Sequence, residues 1–319
     1  MERLGNYELT GKLTDANSGY SVCSFAKRDG REYFIKEFLS PKFPYKDTVS
    51  SPQRVQKKIA RCKEFEQRKA KFYQVLDDCS DGNAVRIRDF FRIGARYYVA
   101  MPKIYAMPWD IANINNMDEA SKRCICCIIA HALASVHRGG LIHADLKPSN
   151  ILFTKTASGV TAKIIDFDSG FLETDPITLD DEIVGDQIYF SPEACLHAWG
   201  EDVPLTCKMD VFALGVLCHQ YFCGSLPAFD KEQASYSGEA AAKGCKLSVS
   251  PHLPADVSEM IQRMLEADPA NRPTSHEIWE FFRGKPEPIP ESTASREMKA
   301  DQINSTTTSG NPFFRPGDL

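Results

Sequence analysis

The feature of this sequence that most constrains its fold is a short polar segment followed by a second acidic motif. The segment His-Ala-Asp-Leu-Lys-Pro-Ser-Asn contains Asp145 and Asn150, and Asp166 opens the motif Asp-Phe-Asp sixteen residues after Asn150. A carboxylate, an amide oxygen a few residues on and a second carboxylate at the end of a following strand can converge on one magnesium ion that carries phosphate groups. The pattern therefore predicts a site that binds a metal ion and phosphates.

Length and composition limit the classes of protein to which the chain can belong. Its 319 residues are about right for two lobes packed on each other with a short tail. Its 43% hydrophobic and 25% charged content and its formal net charge of −5 describe an ordinary soluble protein without attraction to nucleic acid. The eleven cysteines are scattered, and we find neither an apolar signal segment nor an apolar stretch that spans a bilayer. We therefore expect reduced thiols, a cytoplasmic location, and neither nucleic-acid nor membrane partners.

Short runs of strand-forming residues dominate the first third of the chain. Between residues 7 and 38 these runs are broken by Gly, Asn and Asp, which predicts an antiparallel meander. A Ser-Pro pair then supplies an N-cap and a proline at the first helical position, so a long helix is predicted over residues 52–76. Two more strands are predicted at 85–91 and 96–101.

The rest of the chain has a mostly helical pattern. Apolar residues recur at three- and four-residue spacing in four segments, at 117–137, 209–222, 254–266 and 275–282. From about Gly284 the chain is rich in Pro, Ser and Thr and cannot bury enough apolar surface to become ordered. The predicted fold class is α+β, in three parts. They are a small antiparallel sheet lobe with one long helix (1–102), a larger α-rich lobe (103–284) and a disordered tail (285–319).

Three further motifs follow the first two in order. They are Ser191-Pro-Glu193, Asp210-Val-Phe-Ala-Leu-Gly215 and Asp268-Pro-Ala-Asn-Arg272-Pro273. With all five motifs, the sequence from residue 7 to residue 283 resembles the eukaryotic-type serine/threonine protein kinase family. The resemblance implies a two-lobed kinase fold and transfer of the γ-phosphate of ATP to hydroxyl groups of protein substrates, with Mg²⁺ or Mn²⁺. It also implies that Arg272 pairs with Glu193.

The resemblance assigns roles to residues around the expected cleft. Asp145 matches the catalytic base, and Lys147 two residues later is the serine/threonine variant of the catalytic loop. Asn150 and Asp166 match the metal ligands. Lys36 lies on a predicted strand, where the family places the lysine that grips the α- and β-phosphates.

The lysine needs an acidic partner, and the nucleotide needs contacts at its other end. The partner is expected from the helix at 52–76, where Glu64 and Glu66 are the candidates and Glu66 is favoured. The remaining nucleotide contacts are expected from two other segments, the glycine loop and the connector between the lobes. These contacts are Gly19, Val22, Ala100, Met101 and Lys103. Ala100 is expected behind the adenine, where its small side chain would admit bulky ligands.

Departures from the family pattern bear on activity and control. The glycine loop retains Gly19 but lacks the usual three glycines. Asp168 replaces a glycine, and it either helps to bind a cation or faces solvent. Asp186 replaces a threonine, and it either contacts the Lys147 ammonium or favours basic residues in a substrate.

The residue before the catalytic aspartate is Ala144, where the family usually has an arginine that binds a phosphorylated loop. Alanine cannot make those charge-assisted bonds. Thr174 and Thr178 are the evident phosphorylation sites in a segment already rich in acidic residues. We therefore expect activity to be independent of phosphorylation there.

Other readings of the sequence remain open. A pseudokinase that binds nucleotide and regulates a partner would explain the glycine-poor loop and Asp168. A small-molecule phosphotransferase of related fold would not explain the long segment at 166–193, which is suited to holding a polypeptide. The helix at 52–76 is strongly basic, which indicates either a solvated face or a docking surface for an acidic partner.

Overall fold

The computed structural model describes residues 2–14, 21–45, 50–157 and 159–284. The predictions about Gly19 and about the tail at 285–319 lie outside the described residues. Within them the chain forms a sheet lobe and a helical lobe, which confirms the predicted α+β class.

The first lobe is built on a six-stranded antiparallel sheet in the order β1-β2-β3-β4-β6-β5. Its strands are β1 (Arg3–Leu4), β2 (Tyr7–Leu9), β3 (Ser21–Arg28), β4 (Arg31–Phe38), β5 (Asp89–Ile93) and β6 (Arg96–Pro102). Lys36 of β4 is paired with Cys23 of β3 and with Val99 of β6. Directly paired residues share a face of a sheet, so these three side chains lie on one face.

The opposite face of the sheet has a small core of its own. Ile35, which neighbours Lys36, pairs with Ala100, and both are fully buried there with Tyr7 and Tyr98. Because successive side chains alternate between faces, this arrangement separates Ala100 from Lys36.

The long helix α1 (Pro52–Cys79) crosses the face that carries Lys36. Ser51 caps its N-terminus by accepting a hydrogen bond from the backbone N–H of Arg54, and Pro52 occupies the first turn. The helix begins where the sequence predicts and ends at Cys79 rather than at residue 76. Tyr73 of the helix packs edge-on against Phe90 of β5, with ring centroids 5.7 Å apart.

The second lobe is predominantly helical. Its helices are α2 (Ile111–Asn115), α3 (Glu119–His137), α4 (Pro192–Ala198), α5 (Lys208–Cys223), α6 (Ser237–Ala242), α7 (Ala255–Met264) and α8 (Ser275–Arg283). Helix α5 is buried along most of its length, and a side chain at Gly215 would lie 2.9 Å from Met264 of α7, so this glycine permits close packing. Among the described residues, no helix combines the length and apolar character needed to cross a bilayer.

Two short antiparallel pairs position the polar motifs. Strand β7 (Leu141–Ile142) pairs with β10 (Phe171–Leu172), and β8 (Ile151–Thr156) pairs with β9 (Gly159–Ile164). Asp145 and Asn150 lie in the connection between β7 and β8, and Asp166 follows β9. The strand ends therefore bring the two sequence motifs together.

A buried ion pair joins distant parts of the helical lobe. The guanidinium of Arg272 donates to both carboxylate oxygens of Glu193, at 2.7 and 2.8 Å, and neither side chain is appreciably exposed. Arg272 also donates to the backbone carbonyl groups of Lys208, Glu266 and Ala267. A buried charge needs this many partners, because one that loses its counter-ion is strongly destabilising.

Replacing Arg272 with alanine would leave the Glu193 carboxylate buried without its partner. We expect the free energy of unfolding, measured by urea denaturation, to fall by about 3–5 kcal/mol. The control is Arg283→Ala, since Arg283 is half exposed and its ion pair with Glu280 is long, at 3.5 Å. The control should cost less than about 1 kcal/mol, and equal losses in the two variants would contradict the assignment.

Candidate active site

The cleft between the two lobes brings together the chemically important residues predicted from the sequence. It has a volume of about 1510 Å³. The predicted residues on its walls are Lys36, Met101, Asp145, Lys147, Asn150 and Asp166. Four other predictions, Glu66, Val22, Ala100 and Lys103, need correction.

A buried carboxylate holds the loop that leads into Asp145. Asp210 accepts hydrogen bonds from the backbone N–H groups of His143 and Ala144 at 2.7 and 2.9 Å, and lies 3.0 Å from Nε2 of His137. Burial alone would raise the pKa of Asp210, but these bonds hold it below its usual value. Ala144 has a left-handed φ of 63°, which is unfavourable for a residue with a Cβ atom. The ionised Asp210 therefore stabilises a strained turn directly before Asp145.

The carboxylate of Asp145 is fixed by three neighbours. Its Oδ2 lies 2.8 Å from the Lys147 ammonium and accepts a hydrogen bond from the Asn150 amide at 3.1 Å. Its Oδ1 accepts from the backbone N–H of Asp186 at 2.8 Å. Asp145 is therefore oriented on both sides, as a positioned proton acceptor must be.

The loop at residues 185 and 186 approaches this carboxylate closely because residue 185 is glycine. A Cβ atom at Gly185 would lie 2.9 Å from the carbonyl oxygen of Ala144 and 3.3 Å from Oδ1 of Asp145. The Asp186 side chain accepts from the backbone N–H of Ile188 at 3.0 Å, while Lys147 contacts Asp145. The predicted contact of Asp186 with Lys147 is therefore not observed, and a preference for basic residues in a substrate stays a prediction.

The second acidic motif is anchored by its phenylalanine. The Phe167 ring lies 6.3 Å from that of Phe72 on α1 and 4.6 Å from that of His143, measured between centroids. Asp166 has a left-handed φ of 65°. The buried ring therefore fixes a turn whose two aspartates, Asp166 and Asp168, both line the cleft.

Lys36 contacts both of these aspartates. Its Nζ lies 2.5 Å from Oδ1 of Asp166 and 3.0 Å from Oδ2 of Asp168. Burial alone would lower the pKa of the Lys36 ammonium, but the two carboxylates outweigh this effect and raise it above its usual value. Lys36 is therefore held as a cation in the cleft, the state that binds phosphate groups.

The predicted pairing of this lysine with Glu66 is not formed in the structure. Glu66 accepts a hydrogen bond from the Tyr97 hydroxyl at 2.7 Å and lies 3.6 Å from Nε of Arg92. The part of α1 that faces the aspartates carries Lys69, whose ammonium donates to the backbone carbonyl of Asp168 at 2.7 Å. Helix α1 thus presents a cation beside Asp168, while Glu64, the other candidate on the helix, lines the cleft.

The predicted adenine contacts also need revision, because β3 and β6 present other residues to the cleft. Ala100 lies in the core on the opposite face of the sheet, whereas Val99 and Met101 line the cleft. On β3, Cys23 rather than Val22 shares the cleft face with Lys36.

The connector residue Lys103 is held away from the cleft. Its backbone N–H donates to the carbonyl of Glu32 at 3.1 Å, and its ammonium lies 3.3 Å from the Glu32 carboxylate. The cleft wall here is formed by Pro102 and Ile104. A one-residue error in the assumed register explains the misplaced contacts, since it reverses the face of every side chain.

A cation that the sequence analysis did not identify contacts the segment after the second motif. Nε of Arg68 on α1 lies 3.2 Å from the carboxylate of Asp175, and the same guanidinium donates to the carbonyl groups of Asp175 and Pro176. The only sequence signal was the general basicity of the helix. Other basic residues of α1, including Lys63 and Lys71, are exposed, and an acidic docking partner for them remains a prediction.

The donor set fits a metal ion that arrives with a nucleotide. The Asn150 amide nitrogen donates to the carbonyl and carboxylate of Asp145, which leaves its amide oxygen as the metal-binding group. Together with Asp166 it offers two oxygen ligands, the number typical of Mg²⁺ held mainly by phosphates. In the part of the chain that the structure describes, no cluster of three or more His, Cys, Asp or Glu residues forms a protein-only metal cage.

Comparisons with known proteins show the family of the chain. The protein kinase domain family matches residues 48–281. The chain is 25% identical over 281 residues to the serine/threonine-protein kinase Nek1 of Mus musculus, covering 86% of this chain and 21% of that protein. It is 31% identical over 157 residues to the serine/threonine-protein kinase PkaA of Streptomyces coelicolor, covering 47% of this chain and 26% of PkaA. The chain thus spans only about a fifth to a quarter of the length of these relatives.

A solved structure shares the fold. The kinase PK-1 of Cydia pomonella granulovirus aligns with a TM-score of 0.59 at 18% identity, over 87% of this chain and 95% of PK-1. This likeness concerns the fold alone, whereas the family match extends over most of the chain, from residue 48 to residue 281. The chain therefore belongs to the eukaryotic-type serine/threonine protein kinase family.

Proposed function

We propose that this chain is an active serine/threonine protein kinase, which transfers the γ-phosphate of ATP to Ser and Thr hydroxyl groups of other proteins. The observation that carries the proposal is the set of contacts around Asp145. The carboxylate is held by Lys147, by Asn150 and by the loop at Asp186, while Asp166 and Lys36 line the same cleft. Phosphoryl transfer requires mainly positioning and charge stabilisation, and these residues supply both.

Each of these residues has a role in the proposed reaction. Asp145 accepts the proton of the attacking substrate hydroxyl and holds that hydroxyl in line with the phosphate. Lys147 places a positive charge 2.8 Å from Asp145, where it compensates charge on the transferred group. Asn150 and Asp166 would hold Mg²⁺ or Mn²⁺, which when bound neutralises charge on the phosphate oxygens.

Lys36 and the inner strands would bind the rest of ATP. The Lys36 ammonium is the cation placed to contact the α- and β-phosphates. The adenine would lie towards the connector, against Val99 and Met101, which form the apolar wall of the cleft there. Met101 is the better candidate for the position behind the adenine, because its side chain lines the cleft whereas that of Ala100 lies on the opposite face of the sheet.

A nucleotide-binding scaffold without transfer activity is the alternative. It is favoured by the contact between Lys36 and Asp166, which engages a metal-binding carboxylate. The two functions differ in one measurable property, the appearance of phosphate on a substrate.

Asp145→Asn and Asp166→Asn are both expected to reduce radiolabelled phosphate transfer to a generic basic protein by at least about a thousandfold. The asparagine at 145 cannot accept the proton, and the asparagine at 166 is a poor metal ligand. Thermal unfolding is measured in parallel to show that both variants fold. Transfer by the unmodified protein only in the presence of Mg²⁺ or Mn²⁺ supports the proposal. Absence of transfer, with intact nucleotide binding, would support the scaffold instead.

We further propose that phosphorylation of the segment after Asp166 does not control activity. The carboxylate of Asp175 already forms an ion pair with Arg68. This permanent negative charge makes the contact that a phosphate would otherwise make. The hydroxyl of Thr178 donates to Asp181 at 3.0 Å. A phosphate on Thr178 would therefore meet a carboxylate and be repelled.

Asp175→Ala is expected to lower kcat/KM by about tenfold, because it removes the ion pair that helps to hold the segment against α1. The double variant Thr174→Ala, Thr178→Ala should stay within about threefold of the unmodified enzyme, as should phosphatase-treated protein. The matched control on the helix is Lys71→Ala, an exposed residue near Arg68. A hundredfold loss in the double threonine variant, about 2.7 kcal/mol of transition-state stabilisation, would show that phosphorylation does control the enzyme.

The corrected strand register gives a separate prediction about the adenine pocket. Met101→Ala should tighten binding of an adenine analogue with a bulky N6 substituent by about tenfold, because it removes a side chain from the cleft wall. Ala100→Gly is the control, since its side chain lies on the other face of the sheet. Dissociation constants from competition with a fluorescent nucleotide are the measurement. A larger effect at residue 100 than at residue 101 would support the strand register predicted from the sequence, with Ala100 behind the adenine.

A further inference from the structure

Two lysines and two aspartates lie together at the end of the cleft where the second acidic motif turns. The Lys36 ammonium contacts the carboxylates of both Asp166 and Asp168, and the Lys69 ammonium donates to the backbone carbonyl of Asp168. Lys36 comes from the sheet and Lys69 from α1, so the aspartates lie between the two elements. Burial lowers the pKa of Lys69, and the nearby Asp168 and Asp166 oppose this effect.

We propose that Asp168 is the residue that positions Lys36 for nucleotide binding, in the role that the sequence analysis assigned to Glu66. This inference rests on the proposed function and extends it to a residue of the second motif. When Asp166 is engaged by a metal ion, Asp168 remains to hold the Lys36 ammonium. Its contact of 3.0 Å is independent of the metal-binding carboxylate. Asp168 is a positioning residue, because it acts through Lys36.

The backbone at Asp168 supports this role. Asp166 is one of the described non-glycine residues that have a left-handed φ, whereas Asp168 is not. A side chain at position 168 is therefore accommodated without strain, and the usual glycine is not required there. The Lys69 ammonium fixes the carbonyl of the same residue at 2.7 Å, and the anchored Phe167 ring fixes the residue before it.

The contacts distinguish this role from the two predicted earlier. Asp168 does contact a cation, the Lys36 ammonium. Its side chain is only 28% exposed, so it does not simply face solvent. Beside Asp168, helix α1 contributes the Lys69 ammonium. The carboxylate partner of Lys36 comes from the turn rather than from α1, and Lys36 keeps an ion pair.

A double-mutant cycle on nucleotide affinity tests this inference without requiring turnover. The probe is ADP labelled with a fluorescent N-methylanthraniloyl group, titrated with excess Mg²⁺. Lys36→Met should weaken binding by about tenfold in the unmodified protein. In an Asp168→Asn background, where Lys36 is no longer positioned, the same change should cost less than about threefold. Asp168→Gly provides a second background in case the asparagine variant does not fold.

The matched control background is Asp180→Asn, which removes an exposed carboxylate from the segment that follows. There, Lys36→Met should keep its full effect. If Lys36→Met costs the same in the Asp168 and Asp180 backgrounds, Asp168 does not position Lys36 and the inference is overturned. Absence of phosphate transfer by the unmodified protein would overturn the proposed function instead, and the binding cycle would still decide the role of Asp168.

Discussion

The buried carboxylate of Asp210 is the constraint on which the active site depends. It binds the backbone N–H groups of His143 and Ala144 and so holds the residue before Asp145 in a left-handed conformation. This conformation directs the Asp145 carboxylate towards the loop that contains Gly185. The loop can come this close only because Gly185 has no side chain. The proposed chemistry therefore rests on an interaction in the core of the helical lobe, not on the surface of the cleft.

Charge balance is the second organising principle of the cleft. A cation that must bind phosphate has to be kept positive and kept in place, and an isolated buried ammonium would be neither. Lys36 achieves both through carboxylates on the turn after β9, and Arg68 binds the following segment through Asp175. In both cases a carboxylate of the chain itself is the partner. The family more often uses a glutamate on the helix or a phosphate added later.

The sequence predicted the fold class correctly, and the residues that it singled out for the chemical centre lie in one cleft, for a physical reason. Asp145, Asn150 and Asp166 stand in motifs whose spacing follows from a loop and a strand end that must meet at one ion. Helix α1 was predicted from its Ser-Pro start. The side chains that were misplaced, Glu66 and Ala100, depend on register, which neither helical nor strand periodicity fixes within one residue.

The contact of Asp168 with Lys36 was also beyond the sequence, since only the fold decides whether this carboxylate meets a cation or faces solvent. A crystal structure of the protein with Mn²⁺ and a non-hydrolysable ATP analogue tests the whole account most directly. The account predicts anomalous scattering from manganese between Asn150 and Asp166, with the Lys36 ammonium bonded to Asp168 and to the phosphates. A nucleotide bound without manganese at these ligands, or Lys36 paired with Glu66, would contradict it.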